Sequence, residues 1–248
     1  MKKYIALFLA ILTIFSLCAC AKGSGDGTKE KPTYTYPEYP EEAAAYSVEQ
    51  MDHSTYDTAT GEPFIEAYYQ KVVLEGDSEA IKAVNALIEE DYNRYVNDNA
   101  VDTFEETFST HPAYSTESPF IFTHSAAVTH NEDNILSIRI IQESFFGGVF
   151  NVNSYGMTFD TETGKAVTLI ELTDMSEEEL LATLVDVTWS QIHYDDLFPD
   201  AKETLESLTL DDYLFYVELG EIVLAFPTYT FGPGAAGSTT IQTGIMIK

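Results

Sequence analysis

Apolar residues recur at intervals of three and four along residues 77–95, which predicts an amphipathic helix. Either Asp77 or Ser78 is suited to cap its N-terminus. The predicted buried stripe consists of Ile81, Val84, Ile88, Tyr92 and Tyr95. The opposite face carries Glu79, Lys82, Glu89, Glu90 and Asn93. We therefore expect this helix to lie on an apolar surface.

A second helix is predicted to begin after Ser176, which is a favourable N-cap residue. Glu179 stands three residues later, where it completes a capping box. The stripe predicted to be buried consists of Leu180, Leu184, Val187 and Ile192.

Runs rich in β-branched and aromatic residues, separated by turn-forming residues, predict strands. They cover residues 46–56, 64–74, 120–129, 135–142, 152–159, 213–218, 221–227 and 239–247. Turns are predicted at 61–63, 131–134 and 160–165. Hairpin-like strands with two interspersed helices predict an α+β fold with a largely antiparallel sheet, two main helices and two packed subdomains.

The N-terminus has the pattern of an export signal. Lys2 and Lys3 precede the uncharged residues 4–17, and a helix of this length spans about 21 Å, short of the roughly 30 Å needed to cross a bilayer. A signal peptide over 1–19 is therefore favoured over a permanent membrane helix. Leu17, Ala19 and Cys20 resemble a bacterial lipobox. Cys20 is predicted to carry a lipid on the extracellular face of the cytoplasmic membrane.

Residues 20–45 are predicted to form a flexible tether, because Gly, Ser and Pro are frequent and no apolar period runs through them. Tyr34, Tyr36 and Tyr39 lie among its prolines. Spacer composition is the simpler interpretation of these tyrosines, and a recognition strip is the alternative. Cys18 would leave with the signal peptide, so no disulfide is expected in the mature protein.

The charge of the chain limits its partners. It has 248 residues, with 12 Lys+Arg against 41 Asp+Glu and a formal net charge of −29. Loss of Lys2 and Lys3 with the signal peptide leaves ten basic residues and a net charge of −31. Nucleic acid is therefore excluded as a partner. The 45% of hydrophobic residues are sufficient for a packed core.

Histidines provide the first candidate chemistry. The even spacing of His124 and His130 along one predicted strand suggests a common face, with Glu132 or Glu143 as a third zinc ligand. Six residues of strand span about 20 Å, which is too far for one ion. Exposed or locally hydrogen-bonded histidines are the favoured interpretation. The remaining histidines, His53, His111 and His193, are isolated in the sequence.

Carboxylate pairs and a glycine-rich loop are weaker candidates. Asp195-Asp196, Asp211-Asp212 and Glu177-Glu178-Glu179 are interpreted as solvated surface, because an acidic chain forms such pairs by chance. The loop at 232–237 lacks the lysine and the following helix of a phosphate-binding loop, so a turn with unusual backbone angles is favoured over a ligand cradle. No catalytic residue, metal site or cofactor is predicted.

Four segments carry a resemblance to a bacterial envelope family. They are residues 80–88 (AIKAVNALI), 145–148 (FFGG), 158–165 (TFDTETGK, with Leu169 and Leu172) and the ending from 215–217 to 231–237. The chain resembles proteins in which a deacetylase-associated domain of unknown function, DUF4163, is followed by an RsiV-type domain of unknown function, DUF3298. The resemblance implies a DUF4163-like subdomain at 46–157 and a DUF3298-like subdomain at 158–248.

The resemblance also implies export or membrane anchoring, and its best-known member is an anti-sigma factor that senses lysozyme by binding it. Only Met1–Lys3 precede the apolar run, so no cytoplasmic anti-sigma segment is expected. Val149 and Phe150 follow Gly147-Gly148, where the family usually has a histidine. The deacetylase domain is a separate module that nothing in this chain resembles.

These observations favour a non-enzymatic, lipid-anchored protein that binds a cationic protein such as lysozyme. The alternative is a module that binds or hydrolyses cell-wall glycan (peptidoglycan). The predicted partner-binding residues lie near the motifs of the resemblance: Phe145, Phe146, Tyr155, Phe231, Gly232 and Gly234. For each aromatic residue, a role in the core is the favoured interpretation, and partner binding is the alternative.

Overall fold

The structure is a computed structural model that describes residues 42–56, 61–99, 119–145, 150–192 and 197–248. Several predicted features lie outside these ranges: the signal peptide, Cys20, most of the tether, His111, Phe146, His193 and Asp195-Asp196. Among the described helices, none is both long enough and apolar enough to cross a membrane.

Within the described residues, seven strands form the larger sheet, sheet A. They are β1 (Tyr46–Asp52), β2 (Thr55–Tyr56), β3 (Pro63–Leu74), β4 (Phe120–Glu132), β5 (Ile135–Phe145), β6 (Phe150–Asp160) and β7 (Lys165–Ala166). Their order is β1-β3-β4-β5-β6-β7, and β2 lies beside β3. Only β3 and β4 of these strands run parallel, so the prediction of a largely antiparallel sheet is confirmed.

The strand predicted at 46–56 is interrupted between β1 and β2. Asp52 Oδ1 accepts a hydrogen bond of 2.8 Å from the Ser54 backbone N–H, and Ser54 Oγ accepts one of 3.1 Å from the Ala67 backbone N–H. This local turn at Asp52 replaces the strand pairing that a continuous strand would make.

The described strands β8 (Leu214–Glu218), β9 (Glu221–Phe226) and β10 (Thr239–Met246) form the smaller sheet B, in the order β10-β9-β8. A two-residue turn, Leu219-Gly220, joins β8 to β9. Its φ angles of 51° and 83° are both positive. Such a turn matches the right-handed twist of the flanking antiparallel strands.

Helix α1 spans Glu79–Asn99, and every residue of its predicted stripe is buried. Helix α2 spans Glu177–Gln191 and is capped by Ser176, whose Oγ accepts a hydrogen bond from the Glu179 backbone N–H at 3.3 Å. Its buried residues are Leu180, Leu184 and Thr188, and Ile192 follows as a buried C-cap. The prediction for Val187 is wrong, since it is only half-buried and Thr188 occupies the inner position. A third helix, α3 (Ala201–Glu206), was not predicted.

The layers follow the order α1, sheet A, sheet B, α2. Helix α1 shares a core with one face of sheet A, and α2 shares another core with sheet B. The two sheets meet at Gly156, where an added Cβ would lie 2.0 Å from the Phe215 carbonyl oxygen. Ser137 Oγ accepts a hydrogen bond of 2.8 Å from the Val217 N–H across the same junction. The predicted α+β fold class is confirmed.

Two contacts concern the predicted domain organisation. Ala44, at the end of the predicted tether, exchanges hydrogen bonds of 3.0 and 2.9 Å with the Asn131 side chain, so ordered contacts begin before β1. The predicted subdomain boundary at 157/158 falls inside β6. The assignment of the two halves to separate subdomains remains a prediction.

Candidate functional site

A cleft of about 430 Å³ opens at the end of sheet A where β5 ends and β6 begins. Helix α1, the two strands and β8 supply its walls. The lining residues are Asp91, Arg94, Tyr95, Gln142, Glu143, Ser144, Asn153, Tyr155 and Leu214. Apart from Leu214, every lining side chain carries a hydrogen-bonding group.

Asp91 is the buried centre of this cleft. It follows Ile88 by three residues and precedes Tyr95 by four, so it lies on the inner face of α1, and only 7% of its surface is exposed. The Tyr155 hydroxyl donates a 2.6 Å hydrogen bond to Asp91 Oδ2, and the exposed Arg94 guanidinium pairs with Oδ1. Both carboxylate oxygens therefore have partners, as a buried charge requires.

Sheet register extends this network. Gln142 stands opposite Asn153, and Ile140 stands opposite Tyr155, in the antiparallel pair β5–β6. Gln142 Nε2 donates a 3.2 Å hydrogen bond to the Tyr155 hydroxyl oxygen. Asn153 Oδ1 accepts one of 3.1 Å from the Thr228 N–H. Hydrogen bonds to three elements thus fix the cleft's polar side chains in position.

The same network sets protonation states. Burial alone would raise the pKa of Asp91, but His124, the Tyr155 hydroxyl and the Arg94 guanidinium together lower it. Burial, followed by the hydrogen bond to Asp91 and its negative charge, raises the pKa of Tyr155. At neutral pH the pair is therefore a carboxylate that accepts and a phenol that donates.

His124 lies beside Asp91, and only 2% of its surface is exposed. Its Nδ1 lies 2.9 Å from the carbonyl oxygen of Gln70, 54 residues away in the sequence. Its Nε2 has no hydrogen-bond partner among the described residues and is 4.0 Å from Asp91 Oδ2. The expectation of an exposed or locally bonded histidine is therefore wrong for His124.

His130 does not share a face with His124. His124 stands opposite Gln142 of β5, whereas a register shift at Thr129 sets His130 opposite Ser137. Such a bulge moves the following side chains to the other face of the sheet. The expectation of a common face is wrong for this reason. Among the described residues, no three His, Cys, Asp or Glu side chains converge as metal ligands would.

The predicted partner-binding residues fall into two groups. Phe145 is half-buried and packs on Phe150 with ring centroids 6.3 Å apart, and Tyr155 lines the cleft. Phe231 is buried, with its ring centroid 4.8 Å from that of Phe226, so its side chain has the core role that was the favoured interpretation.

Gly232 and Gly234 are also buried, but Gly234 supports a residue at the surface. A Cβ at Gly234 would lie 2.3 Å from the hydroxyl oxygen of Tyr229, which is 56% exposed. Tyr229 follows Thr228, the residue that binds Asn153 of the cleft. The sequence motif at 232–237 therefore supports the region beside the cleft.

Most basic side chains of the described residues already have acidic partners. Lys71, Lys82, Arg94, Lys202 and Lys248 each form an ion pair. Exposed carboxylates without a basic partner include those of Glu177, Glu178 and Glu179 in the first turn of α2. The surface of the described residues is therefore strongly anionic, and few of their basic side chains lack an acidic partner.

No protein-family model matches the sequence, and no curated protein matches it. The crystal structure of a DUF3298 family protein from Pseudomonas aeruginosa PAO1 is similar, with a TM-score of 0.52 and 13% identity over 83% of this chain and 94% of that chain. A DUF3298 family member from Bacteroides fragilis NCTC 9343 gives a TM-score of 0.48 and 15% identity over 85% and 96% of the two chains.

The Pseudomonas likeness shows a shared fold with a DUF3298 family protein. This fold agrees with the DUF3298-like part of the resemblance. The match extends well beyond residues 158–248, and it does not distinguish a DUF4163-like subdomain. That part of the resemblance remains a prediction.

Proposed function

We propose that the protein is a lipid-anchored binding protein on the extracellular face of a bacterial cytoplasmic membrane, and that its partner is a cationic protein. The lipobox-like residues Leu17 to Cys20 support the anchor. The shared fold with a DUF3298 family protein agrees with the DUF3298-like part of the resemblance. Lysozyme-like proteins are the cationic partners that this resemblance suggests.

The excess of acidic residues carries the proposal. The net charge of −29 remains after all 12 basic residues are counted, and five of the basic side chains are held locally in ion pairs. The resulting field attracts basic molecules and accelerates their encounter. Screening limits its reach to about 8 Å at physiological ionic strength, so stable binding also needs a contact surface.

The rim of the cleft is the contact surface that we propose. Leu214 lines the cleft and is exposed, and Tyr229 adjoins it through Thr228. Phe150, at the start of the strand that carries Asn153 and Tyr155, is also exposed. Aromatic side chains at the centre of an interface supply much of its binding energy, and the acidic surroundings complement a basic partner. Glu143 adds a carboxylate within the same cleft.

The anchor is tested by Cys20→Ala. Without the acceptor thiol, the precursor should remain unprocessed or the protein should be released, because the acyl chains provide about 0.8 kcal/mol of membrane affinity per buried CH₂. Metabolic labelling with a fatty acid and fractionation of the cells measure this. Normal processing of Cys20→Ala, with retention in the membrane after a high-salt wash, would contradict the anchor.

The partner is tested by calorimetry with a strongly basic c-type lysozyme, at low and at physiological salt. A true interface should weaken in salt but persist, whereas attraction by charge alone should disappear. Phe150→Ala should weaken binding by about tenfold, equivalent to about 1.4 kcal/mol. Tyr46→Ala, which shortens a similarly exposed aromatic side chain on strand β1, is the matched control.

Cytochrome c serves as a basic protein of unrelated shape. Equal binding of cytochrome c and lysozyme would reduce the interaction to nonspecific charge attraction. No binding of lysozyme at low salt would exclude it as the partner.

A further inference from the structure

The cleft has the dimensions of a small-molecule site, and this use of it requires neither the anchor nor a cationic protein partner. Its volume of about 430 Å³ lies in the lower part of the range of roughly 300–1,000 Å³ that ligand pockets occupy. One or two sugar rings fit in a space of this size. The ligand class must follow from the groups that line it.

The charges of the cleft disfavour an anionic ligand. The Arg94 guanidinium is already paired with Asp91, and the Glu143 carboxylate also lines the cleft, so negative charge is in excess there. An anion is therefore repelled, and the choice among other ligands depends on the free hydrogen-bonding groups.

The free hydrogen-bonding groups favour a ligand that both donates and accepts. Within the described part of the chain, the side-chain oxygen of Gln142, the amide nitrogen of Asn153 and the hydroxyl of Ser144 make no hydrogen bond. They are respectively an acceptor, a donor and a group that does both. A ligand with several hydroxyl groups can satisfy all three, because each hydroxyl donates and accepts.

Hydrogen bonds within the protein already fix the side chains that form the walls of the cleft before any ligand binds. Tyr155 is fixed between Asp91 and Gln142, and the Tyr95 hydroxyl donates a 3.0 Å hydrogen bond to the Thr123 carbonyl oxygen. These two rings and Leu214 provide apolar surface for the C–H faces of a ligand. A prearranged site loses less entropy on binding than a flexible one.

We propose that the cleft between α1, β5 and β6 binds a neutral saccharide of one or two rings, through Gln142, Ser144 and Asn153. The alternative function predicted from the sequence, a module for cell-wall glycan, is thereby assigned to this cleft. The assignment covers glycan binding and not glycan hydrolysis. The ligand's hydroxyl groups exchange hydrogen bonds with these side chains. No bond of the saccharide is cleaved in this binding.

The full-length chain, kept in a detergent without a sugar headgroup, is titrated with N-acetylglucosamine and its β-1,4-linked dimer. Binding is followed by calorimetry and by ligand-observed NMR. Methylammonium, acetate and alanine are the cationic, anionic and zwitterionic comparison probes. We expect saturable binding of a saccharide, little dependence on salt, and no saturable binding of the comparison probes.

Ser144→Leu fills the cleft and should weaken saccharide binding by at least about tenfold. Ser47→Leu, an exposed position on β1, is the matched control and should change nothing. Circular dichroism confirms that each variant is folded.

Three outcomes would overturn the proposal. The first is that neither saccharide binds. The second is that a saccharide binds Ser144→Leu as tightly as the parent protein, which would place the binding site outside the cleft. The third is that only the charged or zwitterionic probes bind. Lysozyme binding is measured on the same Ser144→Leu sample. Loss of saccharide binding is thereby distinguished from loss of the proposed protein partner.

Discussion

The two cores of the protein differ in what they bury. The core between α2 and sheet B is built from leucine, isoleucine and aromatic side chains, and its buried polar residues among those described are threonines. The core between α1 and sheet A includes the carboxylate of Asp91 and the ring of His124. A buried charge is costly unless it is paired, so the polar arrangement of the core between α1 and sheet A indicates a binding role for that core.

The largest expected effect comes from truncating the apolar core. Leu184 is fully buried on α2, and Leu184→Ala should lower the free energy of unfolding by about 3 kcal/mol through lost burial and a residual cavity. Urea denaturation measures this change. Leu219→Ala, at the exposed turn of sheet B, is the control and should change stability by less than about 0.5 kcal/mol. A loss below about 1 kcal/mol for Leu184→Ala would mean that this core is loosely packed.

The polar core should respond differently, because its stability depends on pH. The pKa of Asp91 is lowered on folding, so the ionised carboxylate stabilises the protein above the unfolded pKa of about 3.9. That contribution is lost as the pH falls through the lower folded pKa. Asp91→Asn should therefore cost about 2 kcal/mol at pH 7, typical of hydrogen bonds to a charged group, and the difference from the parent should shrink below pH 4.

Asp174→Asn is the matched control for this prediction. Its exposed carboxylate is 3.8 Å from Lys248 Nζ, and such surface pairs contribute about 0.5 kcal/mol or less. Denaturation curves at several pH values measure both variants. A difference between Asp91→Asn and the parent that does not change with pH would mean that Asp91 is not held as a carboxylate.

Short-range periodicity was sufficient to predict the two long helices, α1 and α2, since a 3.6-residue repeat of apolar residues indicates a buried face. The same repeat contained the signal for Asp91, which lies between Ile88 and Tyr95 on the buried stripe of α1. An acidic residue at such a position indicates a buried partner. Asp91 was not predicted as a buried residue because the apolar residues alone defined the predicted stripe.

The rest of the cleft depends on long-range register. Gln142 and Asn153 meet only because β5 and β6 pair in one particular alignment. A single extra residue at Thr129 places His130 on the other face of the sheet, and no pattern in the neighbouring residues predicts this bulge. Tyr155 was selected from its position near the family motifs, yet its bond to Asp91 joins residues 64 apart. Such contacts follow from tertiary structure and not from spacing.

The smallest expected effect comes from removing a buried hydroxyl group from the apolar core between α2 and sheet B. Thr188 is fully buried on α2, and its Oγ1 has no hydrogen-bond partner within the described residues. Valine has nearly the same shape without the hydroxyl, so Thr188→Val should raise the free energy of unfolding by about 1 kcal/mol, because an unsatisfied polar atom is removed. Thr183→Val on the same helix is the control, since its Oγ1 donates a 2.8 Å hydrogen bond to the Glu179 carbonyl oxygen and no gain is expected. Thermal unfolding should register Thr188→Val as a rise in Tm of roughly 2–4 °C for a protein of this size. A fall in stability would mean that the hydroxyl has a partner and that the polar character of the two cores differs less than their buried residues indicate.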